Sequence, residues 1–189
     1  MLMCGTTIMR CIVVGNSPNV STKGVDVNKY DLVIRTGIPV LSGCEHLIGD
    51  KTDILVTRTK KLNRTDDTYT GQFDQMLIYN DIDHNQTGDS IYILTKTNLM
   101  LNEILEYTRA TANLSTTEKP TLGLIGVCVG LQQCSCVTIY GIETIYDSVY
   151  ISHGHLGDVG YERNNDRHCL YKEMLLYNKM IRAGSIIVL

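Results

Sequence analysis

Four short stretches of this chain hold residue types and spacings able to do chemistry. The first is Cys11-Ile-Val-Val-Gly-Asn-Ser-Pro-Asn19, where four residues of strand character meet Gly15 and then Asn16, Ser17 and Asn19. Gly15 permits a tight turn with close backbone approach, and the polar residues offer amides and a hydroxyl at the strand's carboxyl end. In open α/β sheets ligands bind at that end, often on a following helix terminus that favours anions. The second stretch runs from Pro120 to Cys134 and on through Val137 to Tyr140-Gly141. Thr121 and Gly123 stand at the start of its apolar helix, where unpaired backbone N–H groups can hold a phosphate or carboxylate. The third is His153-Gly-His-Leu-Gly-Asp158, and the fourth places His168 five residues before Glu173. A histidine near its unperturbed pKa of ~6.5 suits a general base at neutral pH. Singly, each stretch has a plainer reading: a buried helix with small residues for packing, solvated histidines on a Gly-rich loop, a His near a helix start.

The elements that must position these residues alternate along the chain. Strands are expected at Cys11–Val14, Asp31–Arg35, Asp53–Val56, Met76–Tyr79, Ile91–Leu94 and Val137–Tyr140, with Ser185–Leu189 closing the chain. Leu99 to Thr111 and His168 to Ala183 show helical periodicity, the second stopped by Gly184. Thr121 to Gln133 is apolar enough for a buried helix, with Pro120 placed at its start. Polar Thr57 to Gln75 reads as a surface loop. Such alternation predicts an α/β fold, a mostly parallel central sheet flanked by helices, in one domain spanning residues 1–189. Neither G-x-G-x-x-G nor a P-loop lysine is present.

Composition narrows the classes. The formal charge of -3 is spread over interspersed acids and bases, unlike the basic face of a nucleic-acid binder. No apolar run approaches the ~20 residues of a membrane span, and the N-terminus is too short and mixed for a signal peptide. The 7 cysteines are an odd set, so at least one is unpaired within the chain. Cys128, Cys134 and Cys136 lack the paired spacing of a zinc site, so no metal is expected. Asn19, Asn63, Asn85 and Asn113 each open a glycosylation sequon, which has meaning only in a secreted chain.

The spaced residues together resemble one family. Cys11, Val13 through Ser17, Gly24, Val27, Asp31, Val33, Arg35, Gly43, Glu45, Gly49, Lys51 and Thr52 are similar to the large motif of eukaryotic-type sialyltransferases. Pro120, Thr121, Gly123, Cys134, Tyr140 and Gly141 resemble the small motif. His155 and Asp158 fit the ends of the aromatic motif, and His168 with Glu173 the very small one.

The resemblance implies a Rossmann-like glycosyltransferase domain, a GT-A-like variant, in a shortened member lacking the N-terminal anchor and stem. It implies inverting, metal-independent transfer of sialic acid from CMP-sialic acid to a hydroxyl of a glycoprotein or glycolipid glycan, with no cofactor. His168 would be the base, Glu173 its support, and His155 would steady the departing phosphate. Asn16, Ser17, Asn19, Thr121, Gly123, Tyr140 and Gly141 would form the donor side. Cys11 and Cys134 would be joined as a disulfide, their Cα atoms within ~7 Å. The Golgi lumen is implied; the cytoplasm stays open, because this chain shows no signal peptide or anchor. Four positions depart from the family: Gly37 replaces an Asn, Leu122 a hydroxyl residue, and Leu156-Gly157 the aromatics. Those departures favour an alternative, a catalytically degenerate nucleotide- or glycan-binding module, and another sugar-nucleotide transferase is a third reading. The acceptor and linkage are not legible.

Overall fold

In a computed structural model, which describes residues 9–16, 25–37, 43–58, 73–80, 90–94, 102–115, 118–142 and 170–189, seven strands form one sheet. They are β1 (Cys11–Val14), β2 (Leu32–Thr36), β3 (Ile54–Arg58), β4 (Gln75–Asn80), β5 (Ser90–Leu94), β6 (Val137–Tyr140) and β7 (Ile186–Val188). Their spatial order is β5-β4-β3-β2-β1-β6-β7. Every pairing is parallel except β4 with β5. The mostly parallel α/β sheet is therefore as expected. The described helices are α1 (Glu45–Ile48), α2 (Asn102–Ala112), α3 (Leu122–Gln133) and α4 (Leu170–Arg182), with a 3₁₀ turn at Val27–Lys29.

β1 is an unbroken apolar run because both faces of the sheet are covered there, and alternation divides it between two cores. Cys11 and Val13 join the larger cluster with Leu124, Val127, Leu176 and Tyr177, from α3 and α4. Ile12 and Val14 point the other way, packing with Val27, Val33, Ile48 and Tyr140. α3 is apolar all round, and Leu124 through Gly130 are all buried. That pattern fits a helix enclosed between the sheet on one side and α2 on the other, with Leu176 and Tyr177 of α4 in the same cluster. Its glycines let it settle close. A Cβ at Gly126 would lie 2.8 Å from the Thr36 methyl, and one at Gly130 2.9 Å from Val137 Cγ2. The packing expected of those small residues is thus present.

Opposite α3, the buried Arg35 organises the segment after β2. Its Nε donates to Thr52 Oγ1 at 2.9 Å, and one terminal nitrogen donates to the carbonyls of Ile48 (2.7 Å) and Gly49 (3.0 Å). Those carbonyls end α1 and have no partner inside the helix, so the guanidinium takes the place of a further turn. Neither α1 nor the 3₁₀ turn was expected, since elements of 4 and 3 residues show no period.

Several boundaries differ from expectation by a few residues. β2 begins at Leu32, because the Asp31 carboxylate bends back to accept from the Arg10 backbone N–H at 2.8 Å. β3 continues to Arg58 and β4 begins at Gln75, so the loop expected over Thr57–Gln75 is shorter at both ends. Thr121 is the N-cap of α3 rather than its first residue, which sets Pro120 outside the helix. Cys11 and Cys134 are disulfide-bonded, with Cα atoms 6.3 Å apart. The bond ties the start of β1 to the end of α3.

Candidate functional site

The chain runs outward from β1 through β2 to β5, then returns to place β6 on the other side of β1. The strand order reverses between β1 and β6, and such a reversal opens a crevice at the carboxyl ends of the two strands. Their register pairs Val14 with Tyr140, so the two chains leave the sheet at the same level, through Gly15-Asn16 and Gly141-Ile142. The Gly15 N–H donates to the Tyr140 carbonyl at 2.8 Å. A Cβ on Gly15 would lie 2.1 Å from the Gly141 carbonyl oxygen, nearer than any side chain can approach backbone. Gly141 itself has φ of 70°, a conformation natural to glycine.

α3 brings its N-terminus to the same place. A Cβ on Gly123 would meet Ile142 Cδ1 and Cγ2 at 3.3 Å, and a Cβ on Gly15 would meet Ile142 Cγ1 at 2.9 Å. One side chain therefore spaces the ends of β1 and β6 from the first turn of α3. Asn16 and Thr121 lie at one edge of the sheet. Ile142 was not singled out in the sequence, where it is one more apolar residue.

The cap of α3 is assembled from two helices. Thr121 Oγ1 accepts from the Leu124 N–H at 3.1 Å, the usual N-cap bond. Glu173, in the first turn of α4, then takes what Thr121 has left. Its Oε1 accepts the Thr121 N–H at 2.7 Å and its Oε2 the Thr121 hydroxyl at 2.6 Å. The Glu173 side chain is fully buried. The hydroxyl and N–H of Thr121 are thus already engaged. Among the described residues, the donors still open at the start of α3 are the backbone N–H groups of Leu122 and Gly123.

Beneath the cap lies a buried polar group of side chains. Burial pushes the Cys128 thiol up to about 11, helped by the nearby Glu173 charge and opposed by a hydrogen bond with Thr108. Burial likewise holds the Tyr177 phenol well above its ordinary value, with Glu173 and Cys128 adding to the shift. Tyr177 lies beside Thr121, yet its hydroxyl completes no hydrogen bond among the described residues. Both groups stay neutral at physiological pH. Tyr140, expected on the donor side, has a ring 2% exposed in the second core, with its hydroxyl donating to the Leu47 carbonyl at 3.3 Å.

Residues 3–75 match glycosyltransferase family 29 (sialyltransferase). A crystal structure of a mammalian sialyltransferase superposes with a TM-score of 0.61 at 18% identity, covering 96% of this chain and 69% of that one. Another, of a mammalian sialyltransferase in complex with Gal-beta-1-3GalNAc-ortho-nitrophenol, does so with a TM-score of 0.57 at 16% identity and the same coverage. This is a sialyltransferase fold. No curated protein matches the chain significantly in sequence. The structural likeness spans nearly the whole chain, whereas the family match is confined to its N-terminal part.

Of the residues expected in a sialyltransferase site, the structure brings Asn16, Thr121, Gly123, Gly141 and Glu173 to one edge of the sheet, with Tyr140 immediately beneath. Ser17, Asn19, His155 and His168 lie outside the described residues. Gly37, where the family has Asn, adopts φ of 78° and donates its N–H to the Val56 carbonyl at 2.7 Å. Glycine and asparagine both tolerate that conformation, so the exchange removes an amide while keeping the turn. Among the described residues no three His, Cys, Asp or Glu gather as metal ligands, and no helix is long and apolar enough to cross a membrane.

Proposed function

We propose that this protein transfers sialic acid from CMP-sialic acid to a glycan hydroxyl, inverting the anomeric centre without a metal. The observation that supports this best is the meeting of Gly15-Asn16, Gly141-Ile142 and the start of α3 around one crevice. Open backbone N–H groups at a helix N-terminus favour the phosphate and carboxylate that this donor carries. In the reaction, an acceptor hydroxyl attacks the anomeric carbon while the bond to the phosphate oxygen breaks and CMP departs. The phosphate is a good leaving group, so catalytic help is needed chiefly for the attacking hydroxyl. By family resemblance His168 takes that proton and His155 steadies the leaving phosphate, with Ser17 and Asn19 beside Asn16 on the nucleotide. One displacement from the opposite face gives inversion, by the logic of inverting glycosidases. A disulfide is at home in an oxidising compartment, which agrees with a Golgi lumen.

Gly37, Leu122 and Leu156-Gly157 favour a second reading, a module of this fold that holds a nucleotide or glycan without turnover. Incubation with CMP-sialic acid and a panel of galactosides and sialosides separates the two. Transfer that falls ~10²–10⁴-fold in His168→Ala, with CMP binding kept, supports the enzyme. CMP binding without transfer supports the module. Neither binding nor transfer overturns both.

A further inference from the structure

We propose that Glu173 is a positioning residue that fixes the donor end of α3 against the start of α4, by completing the α3 cap from a separate helix. This rests on the reading of the α3 N-terminus as donor site. In an ordinary capping box the N-cap Ser or Thr bonds the N3 amide, and a Glu or Gln at N3 reaches back to the N-cap N–H. Here Thr121 is the N-cap and N3 is Leu124, which cannot reach back. Glu173 supplies the missing half from 52 residues away, and adds the Thr121 hydroxyl, so the chain of bonds runs Leu124 N–H to Thr121 Oγ1–H to Glu173 Oε2.

Three consequences follow from that arrangement. A fully buried carboxylate is tolerable only with strong donors, and it finds two on one threonine at the positive end of a helix dipole. The contact sets where α3 begins relative to α4, hence where the Leu122 and Gly123 N–H groups point. It also anchors α4 in its first turn, five residues after His168 in sequence, so both halves of the proposed reaction share one fastening. Glu173 therefore acts on the donor end of α3 through Thr121.

Glu173→Gln and Thr121→Val each remove part of the contact, whereas Thr121→Ser keeps it. In assays run well below each variant's melting temperature, Glu173→Gln and Thr121→Val should each raise the KM for CMP-sialic acid about 10-fold. The double variant should be no worse than the weaker single, and Thr121→Ser should be close to wild type. A residue serving stability alone would lower the melting temperature and leave the KM of the folded enzyme unchanged; that result overturns the proposal. So do additive effects. Hydrogen exchange at the Leu124 amide, read without ligand, separates the clamp from the donor-site reading. If the wild type neither binds CMP nor transfers, the donor-site reading fails and the positioning role with it. Loss of Leu124 protection in Glu173→Gln would then support the cap alone, while unchanged protection would refute the cap itself.

Discussion

Gly15→Ala probes the crevice most directly. A Cβ at this position would sit 2.1 Å from the Gly141 carbonyl oxygen and 2.8 Å from its carbon. Those are backbone atoms of the neighbouring strand's exit, which no rotamer change can move aside. Reaching ordinary contact needs a separation of about 1.3 Å, in an interior packed as tightly as a crystal. The separation also stretches the 2.8 Å bond from the Gly15 N–H to the Tyr140 carbonyl. Overpacking costs ~1–3 kcal/mol and a lost hydrogen bond ~1 kcal/mol, giving about 3 kcal/mol in all. For a domain of this size that is a melting temperature lower by roughly 10 °C. Gly126→Ala is the comparison, since its nearest atoms are the Thr36 methyl at 2.8 Å and Val13 Cγ1 at 3.1 Å, which are side-chain atoms with some freedom to shift. It should cost less. Because Gly15 also sets the level at which Asn16 leaves the sheet, under the proposed function the surviving folded protein should bind CMP at least ~10-fold more weakly. Thermal melts and CMP titration measure both. Melting within a degree of wild type and unchanged CMP affinity would show that the two strand exits are not in close apposition.

The disulfide closes a loop with a sequence separation of 123, so its reduction should lower unfolding free energy by up to about 5 kcal/mol on the chain-entropy account. Urea titrations with and without reductant read this directly, and a loss under 1 kcal/mol counts against it. Cys128, with its thiol raised to about 11, should resist alkylation in the native protein at pH 8 and react once urea unfolds it. Its folded value lies above the ordinary 9.0, so its contribution to stability is complete below pH 9 and should decline as pH rises through about 11; native labelling as fast as in urea would contradict its burial.

What was legible in the sequence was whatever local pattern encodes. Cys11–Val14 reads as a buried strand because four apolar residues end at a glycine, and Val137–Tyr140 because β-branched residues and a Tyr end at Gly141. The motif resemblance added what spacing alone leaves out, above all the Cys11–Cys134 bond across most of the chain. The remainder depended on contacts with no local signature. Glu173 bonds Thr121, a partner fixed only by how α4 docks. Tyr140 has the composition of a ligand-lining residue, yet β-strand alternation turns its ring into the core shared with Val14 and Ile48. Ile142 and Arg35 do their positioning through packing and buried hydrogen bonds, which single-sequence patterns do not display. β5 runs antiparallel to β4, and nothing in its residues distinguishes it from a parallel strand.

The same distinction between side chain and backbone bears on the departures from the family. Two of them, Gly37 and Leu122, remove side-chain groups at the carboxyl edge of the sheet. Neither removes a backbone donor. Leu122 keeps an N–H open at the start of α3, and Gly37 keeps the turn that an asparagine would also adopt. The frame of those donors is held by residues that do match the family: Gly15, Thr121, Gly123, Gly141 and Glu173. A buried carboxylate on Thr121 also offsets part of the positive end of α3, so an incoming anion meets directed N–H groups more than bare dipole charge. Under the proposed function, affinity for the donor then depends more on the geometry of that frame than on the two lost side chains. Restoring Gly37→Asn should therefore improve CMP binding only modestly, whereas disturbing Gly15 or Glu173 should impair it strongly.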